Sequence, residues 1–249
     1  MRYFIQFSYF GQAYHGWQNQ PNAVTVQSVL EDTLSKLLRS KIEVVGAGRT
    51  DAGVHAKEMF AHFDFDKIDN GTELIYRLNS FLPKDIAVQK IIEANNDAHA
   101  RFAAASRSYE YWVCNHKNPF YKDTAHFVKQ ELDLEAMNRA AILLMGRKDF
   151  ECFSKTNSDV KTFICNVTHA EWSYKEDLLV FKITADRFLR NMVRAIVGTL
   201  LDVGRGRYSI RDVNTIIKSK DRSRAGASVP AKGLYLTSVV YPNTIFKNG

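Results

Sequence analysis

The chain has 249 residues, 45% hydrophobic and 12% aromatic, which can fill one large core or two ordinary ones and excludes wholesale disorder. Its net charge of +7 is unevenly placed: between Arg187 and Lys232 eleven basic residues stand against three acidic ones, so the remainder is close to neutral. Such a local basic region fits either a polyanionic partner or a solvated face. No run of about 18 apolar residues predicts a membrane-spanning helix, and the first residues lack the apolar core of a signal peptide. The three cysteines (Cys114, Cys152, Cys165) are odd in number and far apart. They are read as buried thiols in a reducing cytoplasm, with neither a disulfide framework nor a zinc set.

Met1, Tyr3, Ile5, Phe7 and Tyr9 alternate with Arg2, Gln6 and Ser8, which predicts a half-buried strand. A polar loop over 11–22 contains Trp17. Thr25 then opens a helix with Val26, Val29, Leu30, Leu34, Leu37 and Leu38 on one face. A short strand over 42–45 leads to a glycine-rich segment. A strand with Met59, Ala61, Phe63 and Phe65 on one side follows, then a helix capped by Asn70 or Thr72 and stopped by Pro83, then a strand over 86–92.

In the second half, Arg107, Tyr109, Tyr111 and Val113 share one face of a strand, with Ser108, Glu110 and Trp112 on the other. A helix capped by Asp133 precedes strands over 164–172 and 178–185. A helix is expected over 187–203, placing Arg187, Arg190 and Arg194 on one face. Ser209 opens a shorter helix, and residues 234–240 alternate as a last strand. Half-buried strands mixed with helices predict an α+β fold of mostly antiparallel sheets with helices on one face. A boundary within 94–105 divides the chain into domains of residues 1–104 and 105–249.

The densest chemical constellation is Gly46-Ala47-Gly48-Arg49-Thr50-Asp51-Ala52-Gly53-Val54-His55. Its glycines permit tight turns and close backbone approach to a ligand. An arginine two residues before Asp51 can keep the carboxylate ionised, but the same residues also describe a turn in which Asp51 bonds its own backbone. A phosphate-binding P-loop is excluded because no Gly-Lys-Ser/Thr follows, and the glycine spacing does not fit a dinucleotide fingerprint.

Residues 48–55 resemble the signature of the tRNA pseudouridine synthase A family. Four further segments agree in the same order: Tyr14-His15-Gly16-Trp17-Gln18, 105–111 (Ala-Ser-Arg-Ser-Tyr-Glu-Tyr), 188–194 (Phe-Leu-Arg-Asn-Met-Val-Arg) and 230–236 (Pro-Ala-Lys-Gly-Leu-Tyr-Leu). The resemblance implies two RRM- or ferredoxin-like domains with an active-site cleft between them. It implies isomerisation of uridine at positions 38, 39 and 40 of the tRNA anticodon arm by a homodimer. Asp51 maps onto the family's essential aspartate, as nucleophile or as base. Arg194 maps onto its cationic partner, Tyr109 onto the base contact and Arg49 onto the arginine beside the aspartate. His55 is assigned to loop structure. Trp17 is expected to pack against its own domain, and Arg187 and Arg190 to bind phosphate or water. No cofactor or metal is expected, because the reaction involves no redox change and no hydrolysed donor. A non-catalytic RNA-binding module is the alternative. Asp186-Arg187 before Phe188 departs from the small or amide residues expected there.

Overall fold

Strand β1 (Arg2–Tyr9) is the spine of the first of two units in this computed structural model, which describes residues 1–156 and 160–247. That unit takes in Met1–Ala105 and the chain from Leu236 onward, and Ser106–Tyr235 forms the second. The chain beyond Leu236, grouped with the second domain when read as sequence, belongs to the first unit.

In the first unit β1 pairs antiparallel with both β3 (His55–Asp64) and β4 (Ile86–Ala94). The two-residue β2 (Val45–Gly46) adds to β3. With β10 (Leu234–Val240), the strand order is β4-β1-β3-β10. Alternation predicted one wet face for β1 and β3, yet Phe4 is fully buried and His62 is 5% exposed. The cause is distant in sequence. Tyr241 and Phe246 stand edge-on to Phe4, their ring centroids 5.4 and 5.5 Å from it, and roof the face that local pattern leaves open.

Helix α1 (Val26–Leu38) starts where Thr25 and Ser28 cap each other reciprocally, each side chain accepting the other's backbone N–H. Its buried residues Val26, Leu30, Leu34 and Leu37 keep the helical period. Helix α2 (Gly71–Phe81) is capped by Asn70 and buries Leu74 and Leu78. The strand expected over 42–45 is reduced to Val45 as the start of β2. The N–H and C=O of Val44 instead bond to the side chains of Glu31 and Gln27 on α1, at 2.9 and 3.0 Å. Helix side chains there take the place of a ladder.

In the second unit the order is β5-β9-β8-β7, all antiparallel: β5 (Ser106–Cys114), β9 (Leu178–Ala185), β8 (Ile164–Lys175) and β7 (Gly146–Asp149). A short β6 (His126–Phe127) runs parallel to β5. Helix α3 (Leu134–Ile142), capped by Asp133, packs on β8. Helix α4 (Met192–Gly204) is apolar nearly all round, and its residues from Ala195 to Leu201 are buried, as such a helix must be. Helix α5 (Ile210–Ser219) opens at Ser209 with a reciprocal cap from Asp212. The coarse expectation, helices combined with mainly antiparallel strands, holds in each unit.

One helix boundary is corrected. The helix expected from residue 187 begins at Met192, because Asn191 takes a left-handed conformation (φ +67°) and the preceding backbone is held elsewhere. The Asp186 carboxylate accepts the Arg187 N–H at 2.7 Å, and the Arg190 carbonyl accepts from the Lys155 N–H at 3.0 Å. Arg187 therefore lies on the irregular lead-in and Arg190 in the turn closed by the Met192 N–H on the Leu189 carbonyl, and neither shares a helix face with Arg194.

Candidate active site

Asp51 lies in the first unit on the connection between β2 and β3, partly buried. Its carbonyl accepts the Val54 N–H at 3.1 Å, closing a four-residue turn, and Gly53 in that turn has φ +77°. The turn rests on the segment Gly11–Trp17. The Trp17 N–H donates to the Thr50 carbonyl at 3.2 Å and the Gly53 N–H to the Tyr14 carbonyl at 3.4 Å. The Tyr14 hydroxyl in turn donates to Asp85, and burial together with that carboxylate pushes its pKa well above the usual tyrosine range. Trp17 is 3% exposed and packs beside Phe7 at 5.5 Å, so it supports its own unit as expected.

His55, the last residue of the motif, is buried at the start of β3. Its Nδ1 accepts the Gly11 N–H at 2.9 Å, and its ring stacks on Phe10 at 4.2 Å. That is the structural role expected of it. Arg49 is exposed at the near side of the turn.

The remaining assigned residues are in the second unit. Tyr109 stands on β5, partly exposed, with the edge of its ring against Phe188 at 5.1 Å. Arg194 is in the first turn of α4, and its Nε donates to the Val229 carbonyl at 2.7 Å. The next carbonyl, of Pro230, accepts from the Tyr111 hydroxyl at 2.9 Å. Two successive carbonyls of one loop thus join β5 to the start of α4. Burial drives the Tyr111 hydroxyl strongly toward its neutral form, and the charge of Arg194 opposes this in part.

The loop carrying those carbonyls is braced by a residue with no expected role there. Arg222, in the basic stretch after α5, donates to the Ala225 and Gly226 carbonyls at 3.3 and 3.1 Å and to the Ser228 hydroxyl at 2.9 Å. Ser228 also accepts from the Asn191 side chain at 2.7 Å. Nothing in the sequence distinguishes Arg222 from the surface bases around it. Phe188 and the 230–233 segment were marked by the motifs but not as supports.

Cys114, Cys152 and Cys165 are free and buried, and burial pushes the last two thiols up to about 12. Among the described residues no three His, Cys, Asp or Glu side chains gather as a metal site, and no helix is long and apolar enough to cross a membrane.

The first unit thus presents a carboxylate on a braced turn, and the second, taken by itself, an arginine at the start of a braced helix and a tyrosine on a strand. A family model described as tRNA pseudouridine synthase matches residues 5–103 and 140–242, and the chain belongs to that family. It is 51% identical to the tRNA pseudouridine synthase A of Parabacteroides distasonis, over 98% of each chain. It is 51% identical to that of Porphyromonas gingivalis (98% of this chain, 99% of the relative) and 41% identical to that of Bacillus licheniformis (98% and 100%). Among solved structures, a Cbf5-Nop10-Gar1 complex contains a chain 14% identical with a TM-score of 0.38. That alignment covers 92% of this chain and 49% of the other, and the likeness is too weak to bear on the fold.

Proposed function

We propose that this chain is a tRNA-modifying isomerase that converts uridine to pseudouridine at positions 38, 39 and 40 of the anticodon arm, with Asp51 as its catalytic carboxylate. In that reaction the bond from the ribose C1′ to N1 of uracil breaks and a bond from C1′ to C5 forms. The proton on C5 leaves and N1 takes one up, so the product is an isomer. No electron acceptor, donor nucleotide or metal enters this reading.

The observation that carries it is the eight-residue motif ending in His55, set in a chain that matches the family on both sides of its midpoint. Asp51 and Arg194 fall inside the matched stretches. Tyr109 falls between them, so its role rests on the segment 105–111 alone. In this reading Arg194 supplies the positive charge that keeps a carboxylate ionised beside the glycosidic bond. Tyr109 offers a flat partner to the detached base, and Arg49, exposed beside the turn, contacts the RNA. An RRM- or ferredoxin-like arrangement of each unit is part of the reading and is supported by the antiparallel pairing. So are action in the cytoplasm and assembly as a homodimer, which sedimentation with and without tRNA tests.

The deciding experiment is release of tritium from C5-labelled uridine in unmodified tRNA. Asp51→Asn is expected to release none while still binding tRNA. Wild-type turnover by that variant would remove Asp51 from the chemistry. No release by the unaltered chain, with tRNA binding intact, would leave a non-catalytic RNA-binding module.

A further inference from the structure

The residue before Asp51 is held more firmly than its place in a loop suggests. Strand β1 pairs regularly with β3 as far as Phe7, then shifts register before Tyr9, which partners Ala56. A bulge of this kind re-aims the side chain that follows it. The Tyr9 ring is 4% exposed beside Phe7, and its hydroxyl lies 2.8 Å from the hydroxyl of Thr50. The carbonyl of Thr50 is taken by the Trp17 N–H, so this residue is fixed through both side chain and main chain. On that side Gly16 has φ +86°, and a Cβ there would come 2.4 Å from the Thr50 oxygen, so the two backbones are in direct contact. Beyond Asp51 the turn is closed by Val54 and Gly53. Of these anchors, only the pair formed by Tyr9 and Thr50 can be removed one oxygen at a time with every main-chain bond left in place.

We propose that Tyr9 is a positioning residue for Asp51, acting through its hydroxyl bond to Thr50. The proposal rests on Asp51 being the catalytic carboxylate. Its physical basis is that a reacting group must be held close to its productive geometry, where a displacement of about 1 Å can cost on the order of a hundredfold in rate. The bond fixes the peptide from which the Asp51 side chain departs.

The test uses the full chain and four variants: Tyr9→Phe, Thr50→Val, the double variant, and Thr50→Ser. The first two are expected to lower kcat for tritium release about tenfold or more, with KM for tRNA within about twofold of the original and little change in melting temperature. Because both remove the same bond, the double variant is expected to be no slower than the slower single one. Thr50→Ser, which retains the hydroxyl, is expected to recover most of the rate that Thr50→Val loses. Undiminished kcat in Tyr9→Phe and Thr50→Val, with Asp51→Asn inactive, would overturn the proposal while leaving Asp51 in place. A lowered melting temperature or a raised KM at unchanged kcat would do the same, as would losses that multiply in the double variant. Activity in Asp51→Asn would remove the parent assignment and this one with it.

Discussion

Gly53 adopts a positive φ, a Cβ on Gly46 would come 2.6 Å from the Trp17 ring, and Gly48 has open space where its Cβ would be. The fold therefore requires the first two glycines and is indifferent to the third. Gly53→Ala is expected to cost about 1 kcal/mol or more of stability. Gly48→Ala should leave stability within about 0.5 kcal/mol while raising KM for tRNA, if the loop lies against RNA as proposed. Urea unfolding of both variants, with tRNA titration of the second, checks the pair. The sequence marked these glycines as a group but not their separate causes. Trp17 was read correctly because an aromatic ring in a loop beside apolar strands has few other places to go, and His55, at the start of β3, packs on Phe10 and holds the Gly11 N–H.

The acid response also belongs to single residues. Burial, together with nearby Arg2 and His99, lowers the pKa of His62 from 6.5 to about 4. Burial with Arg205 and Lys232 lowers that of His126 to about 4 as well. Between those values the unfolded chain binds protons that the folded one refuses. Stability is thus complete above about pH 6.5 and falls as pH drops toward 4, by at most about 3 kcal/mol for His62 and by less for the more open His126. The urea midpoint is expected to fall across that window, and His62→Gln is expected to flatten the fall. An unchanged slope in that variant would assign the acid response to other groups.

At the level of elements, α1, α2, α3 and α5 were legible because each pairs a capping residue with a 3.6-residue apolar period, and both signals are local. The start of α4 was not, because Leu189, Met192 and Val193 continue the apolar pattern across a segment whose backbone is bound elsewhere. The left-handed Asn191 sets that boundary. Asn191→Val is expected to lose about 1–2 kcal/mol, through strain at positive φ and loss of the Ser228 bond, whereas Asn191→Gly should lose less. Strand β7 was missed because Gly146-Arg147-Lys148-Asp149 shows no apolar alternation, and its pairing is decided by β8. The basic stretch after α5 likewise divides once its bonds are seen. Arg222→Ala is expected to lower the melting temperature, since it removes three contacts to the loop that holds Arg194. Arg224→Ala should leave melting unchanged and reduce the salt dependence of tRNA binding by about one unit of slope.

For the molecule as a whole, the division within 94–105 was drawn around the polar run Asn95-Asn96-Asp97, where the sequence changes locally, whereas the return of the chain from Leu236 leaves no local sign. Alternation at 234–240 announces a strand and says nothing of which sheet receives it. The return is extensive. The Tyr241 hydroxyl donates to the Ala100 carbonyl at 2.6 Å, the Val239 N–H to Glu58 at 2.8 Å, and the Asn95 N–H to the Ile245 carbonyl at 2.9 Å. A fragment of residues 1–105 is therefore expected to melt without a cooperative transition. The same fragment joined by a flexible linker to residues 236–247 should regain one, as calorimetry of the two would show.

This routing inverts the usual order of events on the ribosome. Domains generally complete themselves in the order in which they are made. Here the unit begun first must wait for its final strand until everything between Ser106 and Tyr235 has been translated, on the order of ten seconds at roughly 5–20 residues per second. During that interval the Phe4 face of β1 lacks its roof, so the nascent chain carries an unfinished apolar surface while the second unit is still being made. Holding chaperones should engage the first hundred or so residues late in synthesis, and translation of the final segment, rather than emergence of the N-terminal half, is the moment at which the Phe4 face acquires its cover.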